Sequence, residues 1–261
     1  MTSERGAIGV FDSGIGGLSV LRHIRAALPT APLLYVADSG HVPYGEKTPD
    51  YIRERSEHIT RFLLGQGAAT IVIACNTATA AAAATLRERF DLPIVGMEPA
   101  VKPAVAATRT GVVGVLATVG TLESARFAAL LGQYAGSVEI VTQACPGLVE
   151  QVEAGELETG ATYALLERYA KPLLARGADT LVLGCTHYAF LASAITAVVG
   201  SGVSLIDTGA AVARQVVRRW PGAPVAATGA AVECFWSTGD LASARRIVER
   251  LWGQAANVEQ L

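Results

Sequence analysis

Cys75 and Cys185 each close an aliphatic run of nearly the same sequence. Gly67-Ala68-Ala69-Thr70-Ile71-Val72-Ile73-Ala74-Cys75-Asn76-Thr77 is echoed by Gly177-Ala178-Asp179-Thr180-Leu181-Val182-Leu183-Gly184-Cys185-Thr186-His187, at an offset of 110 residues (67 to 177, 75 to 185). The match extends back to Leu63-Leu64 and Leu173-Leu174. Each run is long enough for a buried strand, so each copy reads as a strand that delivers a thiol to a pocket. A lone buried cysteine is usually a small hydrophobe. Two at matched positions, each followed by hydrogen-bonding residues and a helix start, point instead to chemistry. Related by a pseudo-twofold, they could flank one ligand, take a proton from one face of a carbon and return one to the other, which is racemisation. A helix N-terminus favours thiolate and is expected to lower each pKa from about 8.5 toward neutrality, where the group can alternate between base and acid.

Other residues could assist. Asp12-Ser13-Gly14-Ile15-Gly16-Gly17 follows a first strand and opens a helix, and amides exposed there would favour an anion such as a carboxylate. The spacing does not meet the dinucleotide-binding G-x-G-x-x-G fingerprint. Val42-Pro43-Tyr44-Gly45-Glu46-Lys47 is a loop able to offer backbone amides at Tyr44 and Gly45, although a proline turn with an aromatic is more often structural. Cys145 and Cys234 lack comparable flanks and read as structural. The four cysteines show no C-x-x-C spacing, so neither a metal nor a disulfide framework is expected. Three lysines occur, Lys47, Lys102 and Lys171, none in a setting suited to a pyridoxal Schiff base. Cofactor-independent chemistry is the simpler reading.

The elements that must position these residues alternate strand and helix throughout, the pattern of βαβ units and parallel sheets. Strands are expected at Ala7 to Phe11, Leu33 to Ala37, Thr70 to Ala74 and Ile94 to Gly96, then at Val112 to Leu116, Val138 to Thr142, Thr180 to Leu183 and Val203 to Ile206. Helices fit Ile52 to Leu64, amphipathic by its apolar Ile52, Ile59 and Leu63, then Thr79 to Arg89, Ala210 to Arg219 and Leu241 to Leu251. Met97 to Pro103, with two prolines, and Asp207-Thr208-Gly209 read as crossings between domains. The expected division is 1–98 plus 208–261 for a first, discontinuous α/β domain and 99–207 for a second. Their cleft would hold the strand ends, where open α/β sheets bind ligands.

Composition agrees. At 261 residues, 51% apolar and 17% charged, the chain can bury two cores and is not extensively disordered. A net charge of −2 without a long basic run gives no reason to expect nucleic acid as a partner. Neither a secretory signal nor a membrane span is expected, because the most apolar stretch, Ile71 to Leu86, is broken by Asn76 and several threonines.

The chain resembles the glutamate racemases of the cofactor-independent aspartate/glutamate racemase superfamily. The likeness is carried by Gly9 through Leu18, Asp38 through Pro43-Tyr44-Gly45, Ala74-Cys75-Asn76-Thr77-Ala78-Thr79, Leu116-Ala117-Thr118 with Thr121, and Gly184-Cys185-Thr186-His187-Tyr188. These stretches span almost the whole chain in the family's order; Ala189 departs from a usual proline. The resemblance implies two pseudo-symmetric α/β domains with mainly parallel sheets flanked by helices, a site in the interdomain cleft, a cytoplasmic homodimer and supply of D-glutamate for peptidoglycan. It implies that Cys75 takes the α-proton of D-glutamate and Cys185 that of L-glutamate, with Asp12 serving Cys75, and His187 with Glu153 serving Cys185. Asp12, Ser13, Pro43, Tyr44, Gly45, Asn76, Thr77, Thr118, Thr121, Thr186 and His187 would hold the substrate. The longer N-terminal segment by which some relatives bind an activator has no counterpart, so that regulation is not expected. Aspartate racemase and a cysteine hydrolase built on Cys185 and His187 are the competing enzymes. Binding to DNA gyrase, reported for some members, has no signal here.

Overall fold

Two parallel sheets carry the matched runs, each at an interior position. A computed structural model describes residues 6–134, 136–222 and 232–261. Its strands are β1 (Ala7–Asp12), β2 (Leu33–Ala37), β3 (Ala68–Ile73), β4 (Ile94–Val95), β5 (Val112–Ala117), β6 (Glu139–Ala144), β7 (Thr180–Leu183), β8 (Ser204–Ile206), β9 (Glu233–Ser237) and β10 (Val258–Gln260). They form a six-stranded sheet in the order β10-β9-β2-β1-β3-β4 and a four-stranded sheet in the order β6-β5-β7-β8. Every pairing is parallel. The α/β architecture is the one expected from the alternation of strand and helix signals.

The repeat is visible in the packing. The order β2-β1-β3-β4 maps onto β6-β5-β7-β8, so the two cysteine-bearing strands are equivalent. Gly9 of β1 pairs with Ile71, and Gly114 of β5 pairs with Leu181. A Cβ at Gly9 would meet the Ile71 and Leu63 side chains, and one at Gly114 would meet Leu181 and Leu173. The Leu63 and Leu173 matches are thus the helix residues that press onto the central strand, where an added Cβ would be crowded at Gly9 and would clash at Gly114.

Both faces of each sheet are covered, so the strands read as continuous apolar runs. Ile8 and Val10 of β1 share one apolar cluster with Leu181 and Leu183 of β7, so a single core runs between the sheets. Phe11, Ile71, Ile73 and Trp236 lie on the opposite face of the larger sheet, and Val113, Val115 and Val182 on that of the smaller. Helix Gly209–Arg219 follows the second crossing, and its buried Val212, Ala213 and Val216 join the shared core.

Some elements differ from expectation. The helix after Cys75 begins three residues early, at Asn76, because Cys75 itself is the N-cap. The amphipathic helix runs Pro49–Gly65, capped by Thr48, whose side chain accepts the Tyr51 amide. Helix Val101–Ala107 begins inside the stretch read as the first crossing; Pro103 is tolerated there because first-turn amides have no intrahelical partner. Strands β9 and β10 carry no advance signal: β10 is three residues long, too short for periodicity, and both pair only at the edge beyond β2.

Candidate active site

The ends of β1, β3, β5 and β7 converge on one small, nearly filled cavity, with about 10 Å³ open to a water-sized sphere. Its walls are Ser13, Pro43, Tyr44, Gly45, Cys75, Asn76, Thr77, Thr118, Val149, Gly184, Cys185, Thr186 and His187. Both thiols therefore face the same space, one delivered by each half of the repeat. Asp12, Thr121 and Glu153 stand one layer behind, reaching the cavity through side chains they hold.

On the Cys75 side, Sγ accepts the Ala78 amide at 3.3 Å, the N-cap interaction. The thiol lies 4.0 Å from Ser13 Oγ, which in turn donates to Asp12 Oδ1 at 3.1 Å. This is a thiol–hydroxyl–carboxylate relay. Contrary to the helix-terminus expectation, the Cys75 pKa is pushed well above the ordinary thiol range: burial dominates, the Asp12 charge adds to it, and the Ala78 amide only partly opposes them. One N–H cannot replace the water lost by a fully enclosed sulfur.

On the Cys185 side the relay has different parts. Cys185 Sγ lies 3.7 Å from His187 Nδ1, and His187 Nε2 lies 2.6 Å from Glu153 Oε1. Burial alone would lower the His187 pKa, but its hydrogen bonds to Cys185 and Glu153 outweigh it and hold the imidazole well above the ordinary histidine range. As imidazolium, His187 donates to both neighbours. Cys185 precedes a 3-10 helix, Thr186–Leu191, rather than the α-helix that follows Cys75.

The glycine turn after β1 does bind a carboxylate, but one of the protein's own. The Ile15 amide donates to Glu153 Oε1 at 2.7 Å, and Ser39 Oγ donates to Glu153 Oε2 at 3.1 Å. The Ser13 amide donates to Asp12 Oδ1 at 2.6 Å. The Ser13 amide is taken by its own neighbour, and the Ile15 amide because Glu153, 138 residues away, arrives on the facing half, a proximity no local motif reveals. A Cβ at Gly14 would lie 1.9 Å from Glu153 Oε1, and one at Gly16 2.3 Å from His187 Nδ1. These glycines make room for the pair that supports Cys185.

Three hydroxyls bridge the halves. Thr77 Oγ1 is 2.9 Å from Thr118 Oγ1 and 3.1 Å from Thr121 Oγ1. Asn76 is the exception to this saturation: 5% exposed and on the cavity wall, its side-chain nitrogen and oxygen have no hydrogen-bond partner among the described residues. A buried amide left unpaired is expensive, and a ligand with both a cationic and an anionic group would satisfy it. Val149 is a site residue outside every distinctive run, whereas Gly184 and Ser39 lie inside the Gly184–Tyr188 and Asp38–Gly45 stretches but have no role assignable from sequence. Cys145 is buried away from the cavity, its thiol donating to the Gln143 carbonyl at 3.3 Å.

Comparisons with known proteins follow the same line. The family model Asp/Glu/Hydantoin racemase matches residues 8–216. A glutamate racemase of Ectopseudomonas mendocina (strain ymp) is 60% identical over 260 residues, covering 99% of each chain. A crystal structure of the glutamate racemase isoform RacE1 from Bacillus anthracis superposes with a TM-score of 0.87 at 30% identity, covering 99% of this chain and 98% of that one. The Escherichia coli glutamate racemase, in complex with L-glutamate and the activator UDP-MurNAc-Ala, superposes with a TM-score of 0.86 at 35% identity, with 98% of each chain covered.

Proposed function

Since the chain belongs to the Asp/Glu/hydantoin racemase family, we propose that it interconverts L- and D-glutamate without a cofactor, Cys75 and Cys185 serving opposite faces of the α-carbon. The observation that carries this reading is the meeting of two strand-end thiols on one cavity, each backed by its own relay.

With L-glutamate bound, a Cys185 thiolate takes the α-proton while the Cys75 thiol supplies one from the other side; with D-glutamate the roles reverse. Each thiol must therefore be base in one direction and acid in the other. The His187 imidazolium, held by Glu153, offsets the negative charge of a Cys185 thiolate. On the other side, Ser13 links Cys75 to Asp12, whose own pKa burial raises, bringing a carboxylate closer to proton exchange with a thiol. The remaining wall binds the amino acid. Asn76 can accept from the ammonium and donate to a carboxylate, Thr186 and the Thr77, Thr118 and Thr121 cluster supply hydroxyls, and the Tyr44–Gly45 backbone supplies N–H groups. A cysteine hydrolase would leave Cys75 idle.

The product D-glutamate would supply peptidoglycan synthesis. We place the protein in the cytoplasm as a homodimer; among the described residues no helix is long and apolar enough to cross a membrane. The division into domains 1–98 plus 208–261 and 99–207 is supported by sheet membership, since each sheet draws all its strands from one of these ranges.

The deciding experiment is circular dichroism of L-glutamate, L-aspartate and L-alanine incubated with purified protein and no pyridoxal phosphate. Signal decay with glutamate, far slower with the other two, is expected. Faster turnover of aspartate would overturn the specificity.

A further inference from the structure

The Tyr44–Glu46 turn borders the cavity at the end of a loop, and an ion pair between a partly exposed arginine and a buried aspartate fixes it from behind. Asp38 directly follows β2 and is fully enclosed. Its carboxylate accepts four hydrogen bonds: from Tyr44 Oη at 2.5 Å, Arg55 Nε at 3.0 Å, Arg55 Nη2 at 2.8 Å and Thr238 Oγ1 at 2.9 Å. Arg55 comes from helix Pro49–Gly65 and forks onto both carboxylate oxygens, the geometry that a planar guanidinium alone supplies. Thr238 comes from the end of β9, so three separate segments meet on one buried charge. Because the Tyr44 hydroxyl is committed to Asp38, that residue presents its ring and backbone to the cavity.

We propose that Arg55 is a positioning residue for substrate binding: forked onto Asp38, it fixes the anchor of the Tyr44 hydroxyl and thereby sets where the Tyr44–Gly45 backbone meets a substrate carboxylate. This rests on the reading of the cavity as a glutamate site. Without Arg55, Asp38 is a buried carboxylate short of its main counter-charge, and the Tyr44 anchor loosens. Arg55 touches no reacting atom. Its loss therefore weakens binding of ground state and transition state alike, which raises KM and leaves kcat.

The test is steady-state racemisation of both enantiomers by wild type, Arg55→Lys, Arg55→Met and Tyr44→Phe, with α-deuterium isotope effects and melting curves. In Arg55→Met, KM should rise on the order of tenfold for both enantiomers, the scale of one hydrogen bond to a charged group, with kcat and both isotope effects near wild type. Arg55→Lys keeps the charge without the fork and should restore part of the KM. Tyr44→Phe removes the link while leaving the ion pair, and should share the KM rise. Wild-type KM in a folded Arg55→Met, or a fall in kcat at unchanged KM, overturns the proposal. If Arg55→Met does not fold, wild-type KM in both Arg55→Lys and Tyr44→Phe overturns it. A wild-type protein inert toward glutamate overturns the substrate reading and the proposal with it.

Discussion

Asp12, the carboxylate behind Cys75, accepts a hydrogen bond at 3.0 Å from the hydroxyl of Thr186, the residue that follows Cys185. Each thiol's support thus reaches across to the other half: Asp12 to Thr186, and Glu153 to the Ile15 amide. The two relays are distinct in chemistry yet joined at the cavity.

Distinct relays should limit distinct steps. Enantiomers have equal free energy in water, so no mutation can make kcat/KM differ between directions; it can change only which proton transfer limits the rate. Asp12→Asn should enlarge the isotope effect for α-deuterated D-glutamate and shrink it for the deuterated L-enantiomer, and His187→Asn should do the reverse. The expected loss of rate is that of general acid–base assistance, about 10²–10⁴. Shifts in the same sense for both variants would refute the one-helper-per-thiol assignment.

Ser13 is the middle of the Cys75 relay, so Ser13→Ala should shift the isotope effects as Asp12→Asn does. The double variant should be little slower than the worse single one, because groups acting as a unit are not additive. Additive losses in a double-mutant cycle would place Ser13 and Asp12 in separate roles.

Asp12 should weaken the fold it serves. Burial is the main force raising its pKa, opposed by the His187 charge and the Thr186 hydroxyl. A carboxyl whose folded pKa exceeds its unfolded value binds protons more readily when folded, so stability rises as pH falls through the folded pKa. Above that pKa the buried charge works against folding. Asp12→Asn should therefore melt above wild type at about pH 8, each kcal/mol appearing as about 2–4 °C in Tm for a chain of this size. The margin should shrink on acidification and be least near the unfolded pKa of about 3.9. Melting curves in which the margin grows toward acid would contradict this.

Gly14 and Gly16 should matter for catalysis rather than for chain flexibility. Ala at either position displaces Glu153 or His187 and should lower activity by about 10² or more, the low end of lost acid–base assistance, enlarging the isotope effect for α-deuterated L-glutamate. Gly65, with nothing within 4 Å of an added Cβ, is the control. Gly65→Ala should keep wild-type rates and gain up to about 1 kcal/mol of stability. Equal activity in all three variants would remove the packing argument.

The parts of this molecule readable in its sequence are those in which one residue type repeats at fixed spacing. The Thr180–Leu183 strand is marked by its aliphatic run and by its match to Thr70–Ile73, and the two cysteines stand out because that match ends on both. The Asp38–Arg55 pair is opaque for the opposite reason: a common helix arginine meets a common strand-end aspartate, and only the fold joins them. Ser39 and the Ile15 amide are silent likewise, since their partner Glu153 lies on the facing half. The Cys75 pKa is misjudged because the helix terminus is local and visible, whereas the enclosure that outweighs it comes from the assembled walls.

A small cavity walled by both halves also gives the protein a memory. On the proposed assignment of Cys185 to L-glutamate, conversion to D-glutamate leaves the proton on Cys185 and Cys75 as thiolate, a form prepared for D-glutamate and unable to accept another L-molecule productively. Resetting requires a proton to pass between the two sulfurs, through the relays or through water. At low substrate there is time for this between encounters. At high substrate each departing product leaves the protein primed to run backward, so the reset, not the carbon chemistry, becomes the ceiling on net flux.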